Sequence, residues 1–145
     1  ENELELFGFD KRYESNVDGI ARIAYEDQAH LHIATTYTVA GNSALVVRES
    51  LLPTIFHMGE SVVQASKKLC RQGLYGAFCL ETIITPDLKF YVFEISARIV
   101  AGTNVSVEGS PYSFLRYDEP MSSGRRIARE IKQAIETNRL TEVLG

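Results

Sequence analysis

The chain has 145 residues, a formal net charge of −4 and 45% hydrophobic residues, and its pI is near 5.4. This composition is typical of a globular domain and excludes a disordered chain. The acidic balance argues against a nucleic acid polymer as partner, because such binding needs a basic face. No apolar run approaches the roughly 20 residues of a membrane-spanning helix. The length suits one domain with a sizeable core.

The cysteines and the N-terminus bear on the cellular location. Cys70 and Cys79 have no CxxC spacing, and we expect two free thiols, as in a cytoplasmic protein. The first five residues include three glutamates and no basic residue, unlike the basic start of a signal peptide. Strand-like alternation begins at once behind a residue that is not Met. We therefore expect a piece of a longer protein.

The N-terminal half of the chain shows the alternation of half-buried strands. Polar and apolar residues alternate over residues 3–9 and again over residues 30–39, which predicts two strands. The polar residues 11–18 between them are interpreted as a strand end or a loop. A turn is predicted at residues 40–43, and a short strand or buried run at residues 44–48.

A helix and a hairpin follow. Ser50 is a suitable cap, and apolar residues recur at helical spacing up to residues 72–73, where the helix should stop. Residues 77–84 and 89–95 flank a turn that contains Pro86, and they predict an antiparallel hairpin.

The C-terminal part is predicted as a loop and a last helix. Residues 101–113 contain small residues that let a backbone approach a phosphate, although they also suit a plain loop. Apolar spacing predicts a helix over residues 121–138. It carries a basic cluster that consists of Arg125, Arg126, Arg129 and Lys132. We interpret this cluster as a solvated face or a subunit contact, the alternative being an anion site. The predicted fold is α+β, a mostly antiparallel sheet flanked by helices.

Glu81 and Glu94 lie on the two strands of the predicted hairpin. A two-residue connection would place them on a diagonal, and a four-residue connection directly opposite, about 7–8 Å or about 5 Å apart. Like charges so placed repel unless a cation lies between them, and Mg²⁺ commonly binds one or two carboxylates together with substrate phosphates. The alternative is a solvated outer face with lysine neighbours.

The second hairpin strand extends this polar face. Period-2 alternation places Ser96 and Arg98 on the face of Glu94, and Phe93 and Ile95 on an apolar face that we expect in the core. Arg98 either neutralises the carboxylates or binds a phosphoryl oxygen through its guanidinium fork.

Five longer strings occur in an order that is known from one group of enzymes. They are residues 10–16, 48–53, 93–104, 109–113 and 124–131. With the two glutamates they resemble ATP-grasp ligases, and among these the PurP-type, formate-dependent synthetases of archaeal purine biosynthesis. The resemblance covers nearly all of residues 1–145. It implies the ATP-grasp-like C-terminal part of a longer ligase, whose ATP clamp would lie upstream.

The resemblance implies roles for individual residues. Glu81 and Glu94 match the two positions that bind Mg²⁺ or Mn²⁺. Glu14 matches a position that contacts ATP, and Asn42 one that contacts the aminoimidazole ribonucleotide. Arg98 matches the arginine that is directed at the transferred phosphoryl or acyl phosphate, which makes it the catalytic candidate.

The implied enzyme is an ATP-dependent carbon–nitrogen ligase. It formylates the 5-amino group of 5-aminoimidazole-4-carboxamide ribonucleotide (AICAR) with formate and ATP, through formyl phosphate, and gives the formamido product (FAICAR), ADP and phosphate. The expected partners are these small molecules and further copies of the chain, in the cytoplasm, and the chain alone is expected to be inactive. Ser96 replaces an asparagine common in the superfamily, so we expect no strong metal ligand there.

Other interpretations remain open. The chain could be a nucleotide-binding or regulatory paralogue without turnover, a plain interaction domain, or a ligase for another carboxylic acid. His30 and His32 share one face of a predicted strand, but they lack a third ligand at suitable spacing and are interpreted as exposed. Cys79 is interpreted as a small buried residue.

Overall fold

The computed structural model describes residues 3–144. Its strands are β1 (Asp10–Glu14), β2 (Val39–Ala44), β3 (Cys79–Ile84) and β4 (Phe90–Ser96). Its α-helices are α1 (Val17–Ile20), α2 (Tyr25–Leu31), α3 (Leu52–Ser66), α4 (Pro111–Tyr117), α5 (Ser123–Glu136) and α6 (Leu140–Leu144), and Glu49–Leu51 and Ala101–Ser106 are 3-10 helices. The α+β class is confirmed, but the strands form two separate two-stranded antiparallel sheets.

The first sheet pairs β1 with β2. Arg12 lies opposite Asn42 in this antiparallel pair. Because side chains alternate along a strand, Asp10, Arg12 and Glu14 share one face, and the register places Asn42 on that face as well. The sheet thereby gathers two carboxylates, a guanidinium and an amide on one surface.

The second sheet is the predicted hairpin, which is confirmed. Near the turn Ile84 pairs with Phe90, so the connection is the five-residue loop 85–89. The backbone N–H of Thr85 donates to the carbonyl of Lys89 at 3.0 Å, and Leu88 adopts the left-handed conformation with a φ of 61°. Both predicted connection lengths, two and four residues, are wrong.

A register shift in the hairpin decides where the two glutamates point. Thr82 pairs with Val92, and continuing this register would place Phe93 opposite Glu81. The pairing shifts between Thr82 and Glu81, so that Glu81 faces Glu94. Phe93 is the extra residue, as in a β-bulge, which redirects the side chains that follow it. Direct opposition, one of the two predicted registers, is therefore found for a different reason.

Two predicted strands are not strands in the structure. Residues 3–9 belong to neither sheet, and over residues 30–39 helix α2 ends before β2 begins. The side chain of Asn16 bonds the extended segment instead: its Nδ2 donates to the carbonyl of Ala34 at 2.9 Å, and its Oδ1 accepts from the backbone N–H of Thr36 at 2.7 Å. The backbone N–H of Ser15 also donates to the carbonyl of Thr38 at 2.9 Å, so residues that follow β1 hold this segment in place of a neighbouring strand.

The boundaries around β1 and β2 also differ from the prediction. Residues 11–18, interpreted as a strand end or loop, contain most of β1, and the predicted turn at residues 40–43 is the middle of β2. Of the predicted strand 44–48, only Ala44 belongs to β2. The Gly41-Asn42 pair is typical of a turn, but its cross-strand partners on β1 hold it extended, because tertiary pairing outweighs local preference.

Helix α3 is confirmed with shorter bounds. A 3-10 turn precedes it, and it begins after Ser50, at Leu52, rather than at the predicted serine cap. It ends at Ser66, whose Oγ accepts from the backbone N–H of Leu74 at 2.6 Å. Gly73, at a φ of 74°, turns the chain back toward this hydroxyl. Within residues 3–144 no helix is long and apolar enough to cross a membrane.

The predicted loop at residues 101–113 contains a 3-10 helix and the start of α4. Ser110 caps α4: its Oγ accepts from the backbone N–H of Ser113 at 3.1 Å, and the Oγ of Ser113 accepts from the N–H of Ser110 at 2.8 Å. The Ser110 hydroxyl also donates to the carbonyl of Phe7. Serine directly before Pro111 is a helix-start signal that the sequence contained.

Helix α5 confirms the last predicted helix, and it helps α4 to bind the N-terminal segment. The carboxylate of Glu5 accepts from the hydroxyl of Tyr117 at 2.5 Å and from the Nε of Arg126 at 3.1 Å, and Arg116 lies 3.5 Å away. Burial raises the pKa of Glu5, but these hydrogen bonds and positive charges outweigh it, so the pKa lies below its ordinary value.

The described residues bury few apolar side chains, among them Ile55, Met121 and Ala134. The accessible surface is 10603 Å², whereas a compact monomer of this mass exposes about 7,500 Å². Phe93 and Ile95, predicted for the core, are 57% and 51% exposed. The expected sizeable core is therefore wrong for this chain by itself, since no described element covers the apolar face of the hairpin.

Ser110→Ala should lower the free energy of unfolding by about 1–2 kcal/mol, because it removes the α4 cap and the bond to Phe7. The matched variant Ser122→Ala removes the cap of α5, where Ser122 accepts only from the backbone N–H of Arg125, and should lower it by about 0.5–1 kcal/mol. Urea unfolding of both variants measures the difference. Equal losses would contradict the anchoring role of Ser110.

Glu5→Gln should make stability less dependent on acid pH. The folded-state pKa of Glu5 is lowered, so its contribution is fully present above the unfolded value and is lost as the pH falls through the folded pKa. The free energy of unfolding, measured from neutral to acid pH, should therefore fall less steeply in the variant than in the wild type. Parallel curves would show that Glu5 does not couple protonation to folding.

Candidate functional site

The polar face of the first sheet forms one side of the candidate site. Asn42 Nδ2 donates to Asp10 Oδ2 at 2.5 Å, and the Nε of Arg12 lies 3.0 Å from Oε1 of Glu14. Each pair is allowed by the strand register described above. With its nitrogen engaged by Asp10, the amide of Asn42 keeps its oxygen as an acceptor for a ligand N–H.

The hairpin forms the other side. Glu81 and Glu94 lie directly opposite each other, and the hydroxyl of Ser96, which is buried, donates to Oε1 of Glu94 at 3.3 Å. Cys79 pairs with Ser96 two residues further along the hairpin, and therefore on the same face. The predicted carboxylate pair therefore lies on one face, with small polar neighbours beneath it.

Arg12 joins the two sides. Its Nη1 lies 2.7 Å from Oε2 of Glu81 on the hairpin, while its Nε contacts Glu14 on its own strand. Both carboxylates are partly buried, with side-chain exposures of 15% for Glu14 and 18% for Glu81, against 36% for Arg12. Ion pairs that are shielded from water are screened less by salt than surface pairs, so this bridge holds the two sheets in one arrangement.

The pKa of the Cys79 thiol reflects the negative charge of the site. Burial raises its pKa above the ordinary value, and the negative charges of Asp10, Glu81 and Glu94 raise it further against the opposing effect of Arg12. A thiol in this environment is protonated and a poor nucleophile. Cys79, expected as a small buried residue, is only partly buried, and Cys79 and Cys70 are both free thiols as predicted.

The 3-10 helix Ala101–Ser106 closes the site beside Asp10. Gly102 is buried there, and a Cβ added to it would overlap the carboxylate of Asp10. Glycine is required at this position because the backbone packs directly against that side chain. Asp10 is thereby confined between Gly102 and Asn42.

Arg98 is not brought to the carboxylates. β4 ends at Ser96, so the predicted alternation does not continue to Arg98. Its side chain is exposed, and its Nη1 donates to the carbonyl of the next residue, Ile99, at 3.0 Å. Of the residues selected from the sequence, Glu14, Asn42, Glu81 and Glu94 flank Arg12, and Arg98 lies apart.

The donor atoms suit a hard divalent cation that shares its coordination with a ligand. Carboxylate oxygens are the donors that Mg²⁺ and Mn²⁺ prefer, and Glu81 and Glu94 supply two of them. Within residues 3–144 no three or more His, Cys, Asp or Glu side chains converge to hold a metal ion. The fit is therefore to a cation completed by water and substrate oxygens rather than to an all-protein cage.

Sequence reasoning missed Asp10 and Arg12 as site residues. The signal was present, because Asp10, Arg12 and Glu14 alternate at period 2, although residues 11–18 are interpreted as a strand end or a loop. The basic cluster of α5 is engaged in ion pairs: Arg125 and Arg129 with Glu119, Arg126 with Glu5 and Glu130, and Lys132 with Glu136. These contacts agree with the solvated-face interpretation.

The comparisons with known proteins now decide the family. A family model described as a domain of unknown function, DUF1297, matches residues 1–145. The chain belongs to this family. The fold and the polar site described above are thus those of a member of the DUF1297 family.

Curated relatives carry a more specific name. A protein of Pyrococcus horikoshii named 5-formaminoimidazole-4-carboxamide-1-(beta)-D-ribofuranosyl 5'-monophosphate synthetase is 61% identical over 142 residues, which are 98% of this chain and 42% of that protein. A protein of the same name from Methanocaldococcus jannaschii is 46% identical over 144 residues, 99% of this chain and 40% of that protein. The chain therefore spans about two fifths of the length of these relatives.

A solved structure confirms the fold. The crystal structure of an IMP biosynthesis protein PurP from Thermococcus kodakaraensis superposes with a TM-score of 0.72 at 36% identity, covering 96% of this chain and 43% of that one. The predicted resemblance to PurP-type proteins is therefore confirmed. The individual site residues, in contrast, remain predictions that rest on their matched positions and on the geometry above.

Gly102→Ala should lower the free energy of unfolding by about 1–3 kcal/mol, because the new methyl displaces Asp10 from its bond with Asn42. Gly124→Ala is the matched control: this glycine lies in α5 with nothing within 4 Å of an added Cβ, and alanine there should stabilise by about 0.5–1 kcal/mol. Chemical unfolding of the two variants is the measurement. A neutral Gly102→Ala would show that Asp10 is not confined.

Proposed function

We propose that this chain is the C-terminal part of an ATP-grasp ligase that formylates AICAR with formate and ATP. The names of the relatives support this substrate class, and the chain's 42% share of the first of them supports an ATP clamp located upstream. The observation that carries the proposal is the facing pair Glu81 and Glu94, joined through Arg12 to the strand that bears Glu14.

The proposed roles follow from this arrangement. Glu81 and Glu94 hold Mg²⁺ or Mn²⁺, and Glu14 contacts ATP beside them. Asn42 accepts an N–H of AICAR through the amide oxygen that Asp10 leaves free. We assign Arg98 to the transferred phosphoryl or acyl phosphate, which requires its exposed side chain to turn away from Ile99.

The reaction would have two steps. A formate oxygen attacks the γ-phosphorus of ATP, the bond to the β-phosphate oxygen breaks, and formyl phosphate and ADP result. The 5-amino nitrogen of AICAR then attacks the formyl carbon, and phosphate leaves as the nitrogen loses a proton. The divalent cation would neutralise charge on the phosphates. The protein residues bind and orient the reactants, and the chemistry needs no nucleophilic side chain.

The exposed surface supports a larger assembly. The roughly 3,000 Å² by which this chain exceeds a compact monomer includes the exposed side chains of Tyr91, Phe93 and Ile95 on β4. We propose that upstream residues of the same protein cover part of it and that further copies of the chain form a homo-oligomer. We place the enzyme in the cytoplasm, where free thiols persist, and expect the present chain alone to be inactive.

Glu94→Gln in the intact protein should abolish ADP release that depends on both formate and AICAR, because one of the two cation ligands loses its charge. Stability should change by no more than about 0.5–1 kcal/mol, since a repulsion with Glu81 also disappears. The measurement is coupled detection of ADP at saturating Mg²⁺. Glu60→Gln, an exposed glutamate of α3, is the control and should retain activity.

Wild-type turnover in Glu94→Gln would refute the metal assignment. Substrate binding by the wild-type protein without any ADP release would instead favour the regulatory paralogue over the ligase. Activity with another carboxylic acid, but not with formate, would keep the ligase and change its substrate.

A further inference from the structure

The proposed function assigns no role in binding or catalysis to Arg12. Its guanidinium contacts Glu81 through Nη1 and Glu14 through Nε, at 2.7 and 3.0 Å. One arm therefore lies on a proposed cation ligand, and the other lies on the proposed ATP contact. Asp10 shares the face of β1 that carries Arg12, and Glu94 lies opposite Glu81, so Arg12 is a positive charge among four carboxylates.

We propose that Arg12 is an internal counter-ion that competes with the divalent cation for Glu81. Its ion pair with this carboxylate breaks when the cation binds. The inference rests on the proposed function, because it takes Glu81 and Glu94 as the cation ligands. It adds a positioning residue that exchanges partners during binding.

Electrostatics require the exchange. Mg²⁺ binds a carboxylate oxygen at about 2.0–2.1 Å, which would bring the ion close to the guanidinium that now contacts the same carboxylate. Two positive charges a few ångströms apart repel strongly in a partly buried site. The Nη1 contact must therefore lengthen or break as the ion binds.

Arg12 keeps its ion pair with Glu14 when it releases Glu81. The Nε contact with Glu14 is made from the same strand and does not involve the hairpin. Arg12 can release Glu81 and remain paired, so neither carboxylate is left buried and uncompensated, which would be costly. The cation site and the ATP contact are thereby linked through one side chain.

The test measures binding of Mn²⁺ alone to the intact protein, by the loss of its free-ion electron paramagnetic resonance signal. Arg12→Gln should bind Mn²⁺ about tenfold more tightly than the wild type, equivalent to about 1.4 kcal/mol, because the competing charge is gone. Arg12→Lys keeps the charge but cannot reach both carboxylates with a planar fork, and its affinity should lie between the two. It also serves if the glutamine variant fails to fold.

Lys11→Gln is the matched control. Lys11 is the neighbouring residue on β1, and its ammonium lies over the ring of Tyr13 at 4.7 Å, on the opposite face of the strand. The variant removes the same charge from the same strand and should leave Mn²⁺ affinity unchanged. A purely structural role of Arg12 would lower the affinity in Arg12→Gln, since the sheets would separate.

The outcomes separate this inference from the proposed function. Unchanged or weaker Mn²⁺ binding in Arg12→Gln, with binding still lost in Glu94→Gln, overturns the role of Arg12 and leaves the cation site intact. An equal gain in Lys11→Gln also overturns it, because general charge would then explain the effect. Absence of Mn²⁺ binding in both the wild type and Arg12→Gln overturns the cation site together with this inference.

Discussion

The ion pairs of Arg12 are the contact on which the arrangement of the site depends. The two sheets are separate two-stranded units, and a two-stranded sheet has little stability alone. Arg12 joins them by contacting Glu14 on one sheet and Glu81 on the other. Because both carboxylates are largely shielded from water, the bridge stabilises one relative position of the sheets.

A local irregularity of the hairpin matters as much as its pairing. With a regular ladder from the turn onward, Glu81 would face Phe93, and Glu94 would point to the other side of the sheet. The register shift returns Glu94 to the face of Glu81 and turns Phe93 outward, where it is 57% exposed. Bulges near functional sites commonly redirect a side chain in this way, so the carboxylate pair depends on one extra residue.

Polar contacts provide much of the stabilisation that a larger apolar core would otherwise provide. The N-terminal segment, residues 3–9, is attached to α4 and α5 through Glu5, through the ion pair of Glu3 with Arg116, and through the Ser110 hydroxyl. Few apolar side chains are buried, and the apolar face of the hairpin is open. Such a chain depends on geometry-specific hydrogen bonds, whose net contribution is about 1 kcal/mol each. Its organisation is therefore sensitive to single polar substitutions.

The sequence by itself determined the elements whose signals are local: the hairpin, the helices α3 and α5, the α+β class and the family resemblance. It also selected Glu81 and Glu94 as a carboxylate pair of the hairpin, although their facing arrangement depends on the register shift between Glu81 and Thr82. Tertiary structure alone decided the strand identity of β2, the open apolar face and the bridge of Arg12. Local pattern favoured a turn at Gly41-Asn42, but pairing with β1 overrode it. Partners far apart in sequence set these features, and a single sequence does not reveal which distant groups will meet.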